Sequence, residues 1–228
     1  PSESAIIHKR EHMKLLELKL ISEDGRKSLT ESFANLPETD HKDGKFRLRR
    51  YSATELRTTF WNAGVGVLIE RLSHRIFTQS KELNKHQGGM NRDFEEIEEG
   101  VLNSEGMKEI CLNFKQSNNL IDGEEVEIHQ MRVATVNGEA EVAPEGWHQD
   151  GYKHIAMIGV NRHNITGGEL LVRTDMSNDP FMCRILENGD MFMLDDSKMW
   201  HNANPIQAVN LNEQGFMDIL VLCASKVK

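Results

Sequence analysis

The chain has 228 residues, with 27 Lys and Arg against 36 Asp and Glu, giving a formal charge of −9 at pH 7. That length fits one large domain or two small ones, and the acidic balance argues against a general nucleic-acid binder, which carries a basic footprint. No stretch approaches the ~18 apolar residues of a membrane span, the N-terminal residues lack the apolar run of a signal peptide, and the widely spaced Cys111, Cys183 and Cys223 include no C-x-x-C, so neither a disulfide framework nor a zinc knuckle is expected. The expectation is a cytoplasmic protein in a reducing compartment, with no nucleic-acid or membrane partner and an oligomeric state left open, a homodimer included.

Taken in order, residues 5–22 carry a rough apolar stripe that predicts a helix, stopped by Glu23-Asp24-Gly25. His8 and His12 lie one helical turn apart, a spacing that more often marks a solvated face than a metal site. A second short helix is predicted over 26–35, before Pro37. Residues 38–45 read as a charged loop. Phe46 to Ser52 alternates as a strand and puts Arg47 and Arg49 on one face. Those two arginines fit either a solvated edge or a pair of cations facing an anionic substrate. Residues 53–77 mix apolar and polar positions, with Gly64 and Gly66 against any long helix. The acidic run Asp93 to Glu99 reads as a solvated helix start, and 104–119 as a helix. From about residue 125 the texture changes to period two, with strands predicted at 126–133, 154–161, 169–174, 181–186, 190–194 and 216–224. Turn signals such as Asn178-Asp179-Pro180 and Asn188-Gly189 separate them. Helices thus dominate the expected first half, and many short strands with regular turns predict a sandwich or barrel for the second.

The stretch Glu145-Gly146-Trp147-His148-Gln149-Asp150-Gly151 is the most informative. On an extended strand His148 and Asp150 point to the same side, so an imidazole and a carboxylate can converge on one ion. His201, fifty-one residues after Asp150, is the best candidate for a third ligand. Two His and one carboxylate with open positions form the facial triad of non-haem Fe(II) oxygenases. The competing reading is a pair of ordinary polar residues at a strand end. His41-Lys42-Asp43 repeats the pattern, but in a polar run that reads as a solvated turn. His154 and His163 are the reserve candidates for the third ligand.

Several blocks in order resemble one family. Pro144 to Gly151, Asn161 to Glu169, and Leu194-Asp195-Asp196 followed by His201 and Pro205-Ile206 are similar to the Fe(II)/2-oxoglutarate dioxygenases that include the bacterial L-isoleucine 4-hydroxylases. His129-Gln130-Met131-Arg132 resembles the family's H-Q-x-R strand and Arg47 to Ser52 its R-x-R-x-Y-S strand. Gln79 to Asn84 with Gly88-Gly89 and Arg92 resembles a further block. The likeness runs from about residue 46 to 224.

The resemblance implies a mainly β fold, a double-stranded β-helix (jelly roll, cupin-like) with flanking N-terminal helices. The whole chain would be one dioxygenase domain, with residues 1–45 as a helical extension and the β-helix core from about 125. It implies His148, Asp150 and His201 as ligands of Fe(II), with 2-oxoglutarate and O2 as co-substrates. The implied reaction oxidises an unactivated C–H bond of a free amino acid or similar small molecule while 2-oxoglutarate loses CO2 to become succinate. Arg47, Arg49, Asn84 and Arg92 match family positions and are candidates to hold a substrate carboxylate. Trp147 either walls the substrate pocket or packs at a strand end. One position departs from the pattern: Met217 stands where the family carries an arginine for the distal carboxylate of 2-oxoglutarate. Arg132, with Gln130 on the same face, is the expected substitute anchor, and Arg162 and Arg173 are its competitors. Met217 also leaves open a metal-binding jelly roll without turnover and an iron oxygenase that uses no oxo-acid.

Overall fold

The computed structural model describes residues 15–62 and 64–227. The His8/His12 pair and the first part of the expected N-terminal helix lie outside them. In chain order the first elements are strand β1 (Leu16–Leu20), helix α1 (Glu23–Thr30), strands β2 (Arg47–Trp61) and β3 (Gly64–Arg71), and helices α2 (Glu99–Leu102) and α3 (Glu105–Ser117). The strands β4 (Glu124–Ala134), β5 (Glu139–Ala140), β6 (Tyr152–His163), β7 (Ile165–Gly167) and β8 (Glu169–Arg173) follow. Last come β9 (Met182–Ile185), β10 (Asp190–Asp195), β11 (Trp200–Ala203), β12 (Ile206–Ala208) and β13 (Phe216–Lys226).

One seven-stranded antiparallel sheet runs β1-β10-β6-β13-β4-β2-β3. It curls against two three-stranded sheets, β11-β8-β9 and β5-β12-β7. This is the expected jelly roll. Inward residues of the facing sheets, among them Met131, Ile155, Leu170, Phe192, Ile206 and Ile219, form one apolar cluster. A second cluster lies on the other face of the large sheet, where α1 and α3 contribute Leu29, Ile110 and Phe114 against Ile128, Ile158 and Leu220. Both faces of the central strands are therefore covered. Among the described residues no helix is long and apolar enough to cross a membrane.

Four expectations for the first half need correction. Leu16–Leu20 is a strand paired with β10, not the end of a helix. Its leucines alternate with Glu17 and Lys19, a period of two that the longer stripe masks. Glu23-Asp24-Gly25 opens a helix rather than stopping one. The Ser22 hydroxyl accepts from the Gly25 N–H, and the two acidic residues sit in the first turn, where the helix dipole favours them. Residues 47–71 form one long hairpin, β2 and β3, so the first half is not mainly helical. The acidic run Asp93 to Glu99 starts a helix only at its end, where Glu99 opens α2. Residues 93–98 lie extended beside β2, where Glu95 pairs with Arg50 at 2.8 Å and Glu96 accepts from Ser52. The helix predicted over 104–119 is present as α3, capped by Ser104, whose hydroxyl accepts from the Met107 N–H.

Candidate metal centre and its cavity

His148 and Asp150 lie in the loop before β6, and His201 lies on β11. The two histidine backbones form an isolated antiparallel bridge. His148 N–H donates to the His201 carbonyl at 3.0 Å, and His201 N–H donates to the His148 carbonyl at 3.1 Å. This clamp sets the imidazoles side by side, with ring centroids 4.2 Å apart. Asp150 reaches the same point from a turn rather than from the expected strand. The Asp150 oxygens lie 3.7 Å from His148 Nε2 and 3.5 Å from His201 Nε2. One ligand atom from each residue falls within 4.8 Å of the others.

The donor set fits one first-row divalent ion. His148 Nδ1 lies 2.7 Å from the Gly146 carbonyl and donates to it, which leaves Nε2 as the lone-pair donor facing Asp150. Burial lowers the His148 pKa, and the neighbouring His201 adds to this, favouring the neutral form that a metal needs. Burial would also lower His201. Asp150 and Asp196 outweigh it and hold His201 up to about 10. Asp196 is fully buried and faces His201 Nδ1 at 3.3 Å, an ion-pair distance rather than an aligned hydrogen bond. Its other oxygen accepts from the backbone N–H of Asp150 at 2.7 Å and of Gly151 at 3.1 Å. One carboxylate thus supports two of the three candidate ligands. Gln149, between them in sequence, points away and donates to the Asp196 and Met199 carbonyls.

The three residues open onto a cavity of about 120 Å³ between the sheets. Arg47, Arg49, Asn84 and Arg92 all line it with the triad. The solvated-edge alternative for the two arginines of β2 is therefore set aside: both are buried. Their electrostatics differ. Arg47 Nη1 is neutralised by Asp43 at 2.7 Å and Glu145 at 3.3 Å. Asp43, expected in a solvated turn, is itself buried by this pairing. Arg49 has no carboxylate at ion-pair distance among the described residues. Its Nη2 meets the Met131 sulfur at 3.1 Å, and its guanidinium lies over the Phe94 ring at 5.1 Å. Burial, with the Arg47 and Arg92 cations adding to it, pushes the Arg49 pKa down to about 9. Arg92 donates to Gln79 at 2.8 Å and lies over Phe77. Asn84 donates to the same Gln79 oxygen at 3.0 Å, and Gln79 in turn donates to Asp150 at 3.3 Å. The arginine wall and the triad are thus one connected polar network.

Other expectations fall elsewhere. The Arg132 guanidinium holds Asp218 through bonds of 2.6 and 2.8 Å and stacks on Phe216, and Gln130 donates to Ser32. Neither lines the cavity, so the expected anchor pair is corrected: residues 129 and 131 face inward and residues 130 and 132 face outward. Met217 does line the cavity. Trp147 does not. It packs under the Arg173 guanidinium at 3.9 Å, which removes it from the substrate wall and occupies Arg173 as well. His163 is exposed and bound to Glu213 at 2.6 Å, and His154 pairs across strands with Asp195, so neither reserve ligand reaches the triad. Sequence reasoning missed Glu145 and the cavity-facing role of His129. Glu145 is buried, lines the cavity, and lies 3.6 Å from His148 Nε2. The signal for His129 was strand parity alone.

The 2OG-Fe dioxygenase family profile matches residues 30–223. A search of curated proteins found no match. Among solved structures, a BsmA homologue from Methylobium petroleophilum PM1 is similar at a TM-score of 0.71 and 23% identity, over 89% of this chain and 81% of that one. IDO from Bacillus thuringiensis is similar at 0.70 and 19%, over 94% and 95%. The Fe(II)/α-ketoglutarate-dependent dioxygenase TqaL is similar at 0.66 and 14%, over 91% and 76%. At these identities the likenesses establish the jelly-roll fold.

Proposed function

Because the chain belongs to the 2OG-Fe dioxygenase family, a group of non-haem Fe(II) enzymes that use 2-oxoglutarate, we propose that it oxidises a C–H bond of a free amino acid or a closely similar small carboxylate. The observation that supports this substrate class is Arg49, a buried cation with no carboxylate at ion-pair distance among the described residues, on the wall that faces the triad. A buried charge is costly until it is paired. A substrate carboxylate between Arg49 and Arg92 supplies the missing anion, and the planar guanidinium fork suits a carboxylate better than an ammonium does.

In this reading His148, Asp150 and His201 hold Fe(II) on one side and leave its other positions to ligands. The bound ion, with 2-oxoglutarate and O2, supplies an oxidation coupled to loss of CO2 and formation of succinate. The protein supplies position and dryness. Asn84 and Arg92 converge on Gln79, which steadies both the carboxylate wall and Asp150. Glu145 is held as a carboxylate against its burial by Arg47, and it lines the cavity beside the triad. It is the residue placed to accept from a substrate ammonium. Val142, Met157, Leu170 and Leu186 give the cavity an apolar side that suits an aliphatic substrate chain and excludes water. We read the whole chain as one catalytic unit, because α1 shares a core cluster with β4, β6 and β13.

The test is a mass-spectrometric screen of the twenty amino acids, with Fe(II) and 2-oxoglutarate, for a product heavier by one oxygen atom and for matching succinate. Succinate release stimulated by no amino acid would remove this substrate class. With a substrate in hand, Arg49→Lys should raise KM and leave the melting temperature unchanged.

A further inference from the structure

Met217 and Arg162 are directly paired residues on neighbouring strands, β13 and β6. Cross-strand partners project to the same face of a sheet. Met217 lines the cavity, and so does Gly168, at the turn between β7 and β8. A Cβ on Gly168 would lie 3.4 Å from Arg162 Nη1 and 3.5 Å from the Met217 sulfur. The guanidinium and the thioether therefore meet beside Gly168, at the edge of the cavity: Met217 and Gly168 line it, and Arg162 lies just behind them. Gly168 has φ +75° and adds no side chain of its own, and the Ile206 Cγ2 methyl packs nearest, 2.9 Å from where a Cβ would stand. Arg162 Nη2 donates to the Gly167 carbonyl at 2.7 Å, which fixes the guanidinium plane. Nη1 is buried and has no hydrogen-bond partner among the described residues. No carboxylate stands at ion-pair distance from Arg162 among the described residues.

A buried donor without an acceptor is expensive and points to a ligand. 2-Oxoglutarate is a dicarboxylate. Its keto-acid end belongs at the metal, and its far carboxylate needs a cation deeper in the fold. Leu170 and Ala203 pair across β8 and β11, and both line the cavity between His201 and Gly168. The triad and the Gly168–Met217 corner, behind which Arg162 lies, therefore face the same space. We propose that Arg162 anchors the distal carboxylate of 2-oxoglutarate through Nη1, with Met217 as the neutral, movable neighbour that covers this donor until the ligand arrives. Methionine suits that place because its unbranched thioether swings at small cost. The proposal rests on the oxygenase reading above. It assigns different anions to different cations: the oxo-acid to Arg162, and the substrate to Arg49 and Arg92.

The experiment is calorimetric titration of the Mn(II)-loaded protein without oxygen, comparing 2-oxoglutarate with 2-oxobutyrate, which keeps the chelating end and lacks the distal carboxylate. Wild type should prefer 2-oxoglutarate by on the order of 30-fold or more, as for a buried charge pair. In Arg162→Gln that preference should collapse while 2-oxobutyrate affinity holds. A variant that merely folds poorly would lose both. Adding Met217→Arg to Arg162→Gln should restore much of the preference, and Arg49→Gln should leave it unchanged. An intact preference in Arg162→Gln overturns the proposal, as does its collapse in Arg49→Gln alone. If wild type binds neither oxo-acid, the oxygenase reading itself fails and the proposal falls with it.

Discussion

The Arg132 guanidinium grips the Asp218 carboxylate through two hydrogen bonds of 2.6 and 2.8 Å, on the face of the large sheet turned away from the cavity. Asp218 is fully buried, and burial raises its pKa even though Arg132 works to lower it. The pair braces β4 to β13. Arg132→Ala should therefore cost roughly 3 kcal/mol of stability in urea unfolding, the scale for removing one partner of a buried pair. Oxo-acid affinity should be unchanged. A selective loss of 2-oxoglutarate binding with normal stability would return Arg132 to the co-substrate site.

Asp196 touches no expected metal position, yet it faces His201 Nδ1 and holds the backbone of Asp150 and Gly151. Asp196→Asn should weaken metal affinity by about 10–100-fold, the range for outer partners of metal ligands. His148→Ala, Asp150→Ala and His201→Ala should each abolish Fe(II)-dependent turnover while circular dichroism stays native. Competition with a chromogenic chelator ranks the four variants. An Asp196→Asn protein that binds metal like wild type would make this carboxylate a fold element only.

Arg49 should lower the stability of the substrate-free protein. Its folded pKa, about 9, lies below the ordinary arginine value of 12.5, so the charged form is the one that folding disfavours. That cost is present in full below about pH 9 and is relieved as pH rises from there toward 12.5. Arg49→Met should therefore be more stable than wild type at pH 7, by on the order of 1–3 kcal/mol. The gap should narrow at pH 10, and urea unfolding at the two pH values reads both numbers. A variant less stable than wild type at pH 7 would mean that Arg49 is already compensated.

Much of the site is legible in the sequence because metal ligation demands particular side chains at short spacing. His148, Asp150 and His201 could be named before any fold was known, and so could the arginines of β2. The anchor could not. Strand parity puts Gln130 and Arg132 on one face of β4, which is correct. Which face meets the cavity is hidden, because residues 126–131 are buried on both sides, by the facing sheets and by the helices. Alternation tells inside from outside only when one face is wet. Arg162 was readable only as a competitor near a turn, since its pairing with Met217 depends on sheet register across more than fifty residues. In the first half, the Leu16–Leu20 strand was lost inside a longer apolar stripe. The β2–β3 hairpin was lost because its far strand exposes Val65 and Leu68 and gives no clear amphipathic pattern.

The backbone bridge between His148 and His201 bears on how metal binding registers in solution. Two peptide groups, rather than the ion, hold the two candidate histidine ligands in place, and Asp196 holds the backbone of Asp150. The ion then enters an ordered site, and its binding energy is not consumed in folding the chain, unlike that of a zinc finger. Metal-free and loaded protein should accordingly unfold in the same cooperative transition, separated only by the mass-action term RT ln(1 + [M]/Kd). At a metal concentration of 100 Kd that separation is about 2.7 kcal/mol, and it shrinks smoothly toward zero on dilution. The amide protons of residues 148 and 201 should exchange slowly with deuterium even when a chelator is present, because neither bond in the clamp depends on the ion.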